Sequence, residues 1–231
     1  MPDITITASD GGTFQAYLAR PQSGQGPGLI VIQEIFGVNQ VMRDLCDGFA
    51  AQGYLALCPD LFWRQQPGVQ LTDKSEEEWT RARQLMAGFN EARGILDLHA
   101  ALVWLSQHQD CTGKVGVIGY CLGGRLAYLM ATRSRPDCSV SYYGVGLDNR
   151  LSEAAAITKP LLLHIAGQDR FVPPEAQTHI REVLSRVSQV TIHTYPDCDH
   201  AFARPGGQHY DAAAAELANR RTAEFLARHL K

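Results

Sequence analysis

A basic surplus is missing from this 231-residue chain: 21 lysines and arginines face 24 aspartates and glutamates, for a formal net charge of −3. No basic run carries interleaved aromatics either, so the electrostatic footprint of a nucleic-acid binder is absent. Long apolar runs are missing as well. Gly28-Leu-Ile-Val-Ile32 and Pro160-Leu-Leu-Leu-His-Ile-Ala166 fall far short of the roughly 20 residues that span a bilayer, and have the length of buried strands. The opening Met1-Pro-Asp-Ile-Thr-Ile6 has neither the basic segment nor the apolar core of a cleaved leader, so a cytoplasmic protein is expected. Paired cysteines are lacking: Cys46, Cys58, Cys111, Cys121, Cys138 and Cys198 are scattered without a C-x-x-C. That suits reduced thiols, most of them core filler, better than a disulfide framework or a structural zinc. No internal repeat and no low-complexity segment is present. The length suits one domain over residues 1–231, since α/β folds often run to about 200–250 residues as one unit.

What is there begins with Ile4-Thr-Ile-Thr7 and Phe14-Gln-Ala-Tyr-Leu-Ala19, which alternate apolar and polar residues around Asp10-Gly-Gly12. This predicts an antiparallel hairpin with one wet face. After the Pro/Gly-rich stretch 21–28, Leu29-Ile-Val-Ile32 is continuously apolar, as a strand covered on both faces is, and leads into Gln33-Glu-Ile-Phe-Gly37. Asn39 is placed to cap a helix on which Val41, Leu45, Phe49 and Ala50 share a face and which Gly53 stops. Tyr54–Cys58 is the next strand. The loop 59–68 is longer than a connection needs and is expected to roof a pocket. Ser75-Glu-Glu-Glu78 has the form of a capping box, so a helix begins there and is expected to run to Asn90. A second helical pattern, Ile95, Leu98, Leu102 and Leu105, leads to a strand over Val115–Gly119. Strands at 139–143, 161–165 and 190–195 then alternate with helices that end near Arg133, span 175–186, and start at about Tyr210. Alternation throughout predicts a mostly parallel central sheet flanked by helices, with an antiparallel hairpin at its N-terminal end.

Gly119-Tyr-Cys121-Leu-Gly123 is the nucleophile-elbow pattern G-x-S-x-G with sulfur in place of oxygen. Glycines two residues either side let strand and helix pack closely, and the N–H of Leu122 would face a developing oxyanion. A glycine-rich strand-to-helix turn also binds phosphates, and a thiol in such a turn can be a small core residue. The rest of the chain decides between these readings. Ligands of open parallel sheets bind beyond the C-terminal strand ends, where Glu34, Cys121, Asp169 and His200 all fall. Thiol, acid and histidine in that order reproduce the chain order of α/β-hydrolases. A histidine in reach makes the thiolate, and Asp169 would hold the His200 ring in one tautomer. The second oxyanion donor would be the N–H of Ile35. Two bland alternatives stand beside this: Asp169 as a cap of its own turn, and Asp197-Cys-Asp-His200 as part of a metal site. No second cluster at ligand spacing supports the latter, so neither metal nor cofactor is expected.

These residues carry a resemblance. Gln33-Glu-Ile-Phe-Gly37, Gly119-Tyr-Cys-Leu-Gly-Gly124, Tyr142-Tyr-Gly-Val-Gly146, Gly167-Gln-Asp169 with Phe171-Val-Pro173, and His200-Ala-Phe-Ala-Arg204 together resemble the dienelactone hydrolases (carboxymethylenebutenolidases), along nearly the whole chain. The resemblance implies an α/β-hydrolase fold and a cysteine nucleophile that opens small carboxylated enol-lactones in catechol or chlorocatechol breakdown. It also implies that Arg204 binds the substrate carboxylate and that Glu34 contacts the nucleophile before substrate arrives. The chain differs from the family pattern at Ala201, where a serine is usual, at Trp79, where a second carboxylate-binding arginine is expected, and at Met86, where a tryptophan lines the pocket. Arg81 and Arg83 stand nearby as substitutes, but residues two apart on a helix point to opposite faces. Two other readings remain: an esterase or acyl transferase of the same fold, and a thiol-sensing or binding protein in which Cys121 is oxidised rather than acylated. A small-molecule partner, no nucleic acid or membrane, and a monomer are expected.

Overall fold

Alternation in the first twenty residues builds the predicted hairpin. In the computed structural model, which describes residues 4–231, β1 (Ile4–Thr7) pairs antiparallel with β2 (Thr13–Ala19), with Ile6 opposite Phe14. Met1–Asp3, part of the stretch read for a leader, lie outside the described residues. β2 then runs antiparallel to β4 (Leu55–Pro59), and β4 runs parallel to β3 (Gly26–Ile32). Every residue of β3 is buried, as its unbroken apolar run predicts.

β3 starts earlier than Leu29. Glycine and proline composition marks 26–28 as loop, but a Cβ on Gly26 would sit 2.1 Å from the carbonyl oxygen of Gly53 and one on Gly28 would sit 2.9 Å from Val115 Cγ2. These glycines serve close approach of neighbouring chain rather than a turn. Between β3 and β4, α1 (Gln40–Ala51) is capped as expected, Asn39 Oδ1 accepting from the Met42 N–H at 3.2 Å.

α2 (Glu76–Ala87) has Ser75 as its cap, its hydroxyl accepting from the Glu78 N–H at 3.2 Å. The reciprocal half of the capping box is replaced: the Glu78 carboxylate accepts from the N–H of Thr72 at 3.0 Å and from the Thr72 hydroxyl. The helix ends at Ala87, short of Asn90, because Asn90 caps the following helix α3 (Glu91–Ser106), its Oδ1 accepting from the Arg93 N–H at 3.0 Å.

β5 (Cys111–Tyr120), α4 (Leu122–Arg133), β6 (Ser139–Tyr142), β7 (Leu161–Ala166), α5 (Pro174–Leu184), β8 (Val190–Tyr195) and α6 (Ala212–Leu230) complete the alternation. A 3-10 segment, Asp148–Ala156, joins β6 to β7. Its buried Leu151 and Ala154 are three apart, the period of that helix type, and Arg133 pairs with Glu153 at 2.6 Å beside it.

The chain forms two compact units, one up to Gly116 and one from Val117 to Lys231, so the division falls inside β5. Strand order is β1-β2-β4-β3 in the first and β5-β6-β7-β8 in the second. The second is parallel throughout, β5 to β6, β6 to β7 and β7 to β8. Mostly parallel strands interleaved with helices, begun by an antiparallel hairpin, are the arrangement predicted. Among the described residues no helix is long and apolar enough to cross a membrane. All six cysteines are free thiols, and Cys111 alone of them is not buried.

Candidate active site

The elbow in the second unit is built by backbone crowding. Cys121 takes φ 56° and ψ −115°, which side chains with a Cβ rarely adopt. A Cβ at Gly119 would sit 1.9 Å from the carbonyl oxygen of Gly123, which is the close strand-to-helix approach predicted. The second tight glycine is Gly124: a Cβ there would sit 2.4 Å from the carbonyl oxygen of Tyr142, so it sets the distance to β6. The Cys121 N–H donates to that same Tyr142 oxygen at 3.1 Å. Leu122 is the first residue of α4, where a helix leaves its N–H groups without intrahelical acceptors.

Against this turn stands His200. Its Nδ1 lies 2.7 Å from Asp169 Oδ2, and both side chains are buried, 8% and 1% exposed. The other Asp169 oxygen accepts from the Phe171 N–H at 2.8 Å, so the capping role considered for Asp169 and the histidine-orienting role coexist on one carboxylate. Burial by itself would depress the basicity of His200, yet the charge of Cys121 and hydrogen bonds to Asp169 and Cys121 outweigh it and push the ring up to about 10. At neutral pH the ring is therefore an imidazolium that faces Cys121 and the Asp169 carboxylate, the setting in which a histidine can pair with a thiol.

Other side chains frame the imidazole. Tyr143 meets it edge-on at 5.1 Å and Phe171 at 4.9 Å, and Tyr143 takes φ 38° directly after β6. Neither role was legible in advance; the one signal was that each aromatic follows a strand end within the stretches already singled out. Ala201 has φ 62°, and Arg204 closes the same turn, its N–H donating to the Ala201 carbonyl at 2.9 Å. Arg204 is half-buried. In the Asp197–His200 run, Asp199 Oδ2 is 3.5 Å from His209 and Asp197 Oδ atoms take no part in the His200–Asp169 pair.

The remaining predicted residues belong to the first unit. Glu34 and Ile35 lie two and three residues beyond the end of β3 and are buried, 4% and 6% exposed. Arg81 and Arg83 are both exposed on α2 and do face apart. Arg81 Nε donates to Gln66 Oε1 at 3.1 Å, whereas the Arg83 guanidinium lies 5.3 Å from the ring centre of Trp79. Trp79 in turn packs edge-on against Phe36 at 5.0 Å and donates from its indole N–H to the Asp73 carbonyl at 3.1 Å. Of the two arginines, Arg83 is the one on the side of the Gln33–Gly37 segment.

A family model described as the dienelactone hydrolase family matches residues 14–230. A candidate carboxymethylenebutenolidase from Azospirillum brasilense is 54% identical over all of both chains. The carboxymethylenebutenolidase of Pseudomonas putida is 41% identical, covering 97% of this chain and 95% of its own. Among solved structures, that of a candidate dienelactone hydrolase from Klebsiella pneumoniae superposes with a TM-score of 0.86 at 28% identity, covering 98% of this chain and 97% of that one. On this likeness, which runs the length of the fold, the chain belongs to the dienelactone hydrolase family, with the α/β-hydrolase fold of that family, and is an ester hydrolase.

Proposed function

We propose that the chain opens small carboxylated enol-lactones of the dienelactone type with Cys121 as nucleophile, as a step in catechol or chlorocatechol breakdown. The observation that carries this is the buried 2.7 Å contact between His200 and Asp169 with the ring charged against Cys121. Sulfur attacks the lactone carbonyl, the ring C–O bond breaks, and the enolate leaves and takes up the proton of the His200 imidazolium to become the ketone. Water, activated by His200 once the ring has given up its proton, then hydrolyses the thioester and returns the thiol. An enolate is a weak base, so it departs without strong acid help; this favours activated lactones and esters over amides.

Leu122 and Ile35 supply the oxyanion N–H groups in this proposal. Arg204 binds the substrate carboxylate, with Arg83 a better candidate than Arg81 for a second contact. Glu34 holds the thiol unreactive until substrate arrives. These last roles rest on the family resemblance; a carboxylate beside a thiol disfavours the thiolate and protects it from oxidation. The protein works as a cytoplasmic monomer without cofactor.

The test is acylation. An activated ester should label Cys121 in a burst and then be released, and Cys121→Ala should abolish both. A stable adduct or a sulfenate without turnover overturns the hydrolase reading in favour of a thiol sensor. A strong preference for uncharged esters over cis- and trans-dienelactone overturns the role of Arg204. Ala201, and Trp79 packed on Phe36 where the resemblance calls for a cation, are consistent with that second reading, an esterase or acyl transferase of the same fold.

A further inference from the structure

The Gln33 side chain is fully buried, 0% exposed, at the end of β3 and next to Glu34. Its Oε1 accepts from the N–H of Leu61 at 3.0 Å, and its Nε2 donates to the carbonyl oxygen of Glu34 at 3.2 Å. That carbonyl belongs to the same peptide unit as the N–H of Ile35. A peptide unit is planar and trans, so its C=O and N–H point in opposite directions. Fixing the Glu34 oxygen therefore fixes where the Ile35 N–H points.

We infer that Gln33 is the positioning residue for the Ile35 N–H, aiming it by holding the opposite end of the same peptide. This rests on the proposed role of Ile35 as an oxyanion donor. The amide suits the task because it needs both an acceptor, anchored to Leu61, and a donor, turned to Glu34; a glutamate, leucine or methionine lacks one or both. Leu61 starts the loop that also holds the next residues, the Leu71 N–H donating to the Phe36 carbonyl at 2.9 Å. Gly37, at φ 77°, lies so close to Val69 that a Cβ would sit 2.0 Å from its carbonyl oxygen. The segment is thus gripped at both ends, and Gln33 sets the rotation of the peptide between them. Preorganised donors of this kind act on charge that develops in the transition state and not on the ground-state substrate.

The test compares Gln33→Glu, which keeps the acceptor for Leu61 but turns an oxygen toward the Glu34 carbonyl, with Gln33→Leu, which loses both bonds. For an activated ester, kcat should fall about 10- to 100-fold in both with KM changed less than about twofold. An aldehyde probe, whose carbon bonds to Cys121 sulfur and whose oxygen becomes the oxyanion, should weaken by the same factor, while a plain carboxylate product binds as before. Acid pH should narrow the gap for Gln33→Glu and not for Gln33→Leu, because a protonated carboxyl can donate to Glu34. A Gln33→Glu enzyme with kcat and aldehyde affinity within twofold of wild type overturns the inference and leaves the proposed function standing. Absence of any Cys121-dependent turnover in wild type overturns both. A measurement on wild type alone guards against misfolded variants: the Ile35 amide proton should shift on aldehyde binding, and an unmoved resonance overturns the inference.

Discussion

Replacing Asp169 with asparagine keeps the shape of the side chain and an acceptor for the Phe171 N–H, but it removes the negative charge that faces His200 at 2.7 Å. An increase in the ring from 6.5 to about 10 corresponds to about 5 kcal/mol of preference for the imidazolium, taking 1.36 kcal/mol per pH unit. Four effects raise it against burial, two from Cys121 and two from Asp169, with the charge of Cys121 the largest. Asp169 supplies two of the four, a hydrogen bond and its charge, so its removal lowers the ring and leaves only Cys121 to offset burial. The asparagine amide also favours the wrong tautomer, which adds to the loss in catalysis. The sign follows from the raised value: the ring stays charged through neutral pH and loses its proton as pH rises through about 10. Removing Asp169 brings that loss to lower pH. Asp169→Asn should therefore lower kcat/KM for an activated ester about 100-fold or more and move its alkaline limb to lower pH, a shift also readable in the titration of the His200 ring carbons by NMR. An alkaline limb left in place, with kcat/KM within threefold of wild type, would refute the coupling between Asp169 and the histidine.

Gly119→Ala should force the elbow apart, since its Cβ would meet backbone at 1.9 Å, and cost about 3 kcal/mol or more in urea unfolding. Gly48→Ala, in α1 with open space around the added carbon, should instead stabilise by up to about 1 kcal/mol. His164 is buried in β7 between Tyr195 and Thr222 at 2.9 Å each, and burial first, then His193 and Arg221, hold it well below 6.5. A depressed value means the unfolded chain binds the proton more readily, so stability present above 6.5 is lost on acidification. Between pH 6.5 and 5.5 this amounts to about 1 kcal/mol, and the difference between the two pH values should shrink by that amount in His164→Gln. Finally, we propose that the two compact units unfold as one domain: tryptophan fluorescence and far-UV circular dichroism should give coincident urea transitions, and separated midpoints would sink the single-domain expectation.

Cys121, Asp169 and His200 could be singled out because each directly follows a strand or sits in the loop leaving one, which puts them beyond the C-terminal ends of β5, β7 and β8. Their conformations could not be read in this way. That Gly124 meets β6, or that Gly26 and Gly28 lie inside a strand, depends on which backbone passes nearby, and composition carries no record of that. The same holds for Asn90, which looks like the tail of one helix until the cap of the next claims it. Gln33 was quoted as part of a motif, yet its role depends on a loop nearly thirty residues on that no local pattern connects to it. Local rules locate the elements; the partners of each buried polar group come only with packing.

In the proposed mechanism the backbone angle at Cys121 sets folding and chemistry against each other at a single residue. Any side chain there costs about 1 kcal/mol or more of local strain, and glycine would relieve it. A programme that selected variants of this protein for thermal tolerance without an activity screen would be rewarded for discarding the sulfur. Adding an activity screen to such a selection should restore the cysteine if its sulfur is used.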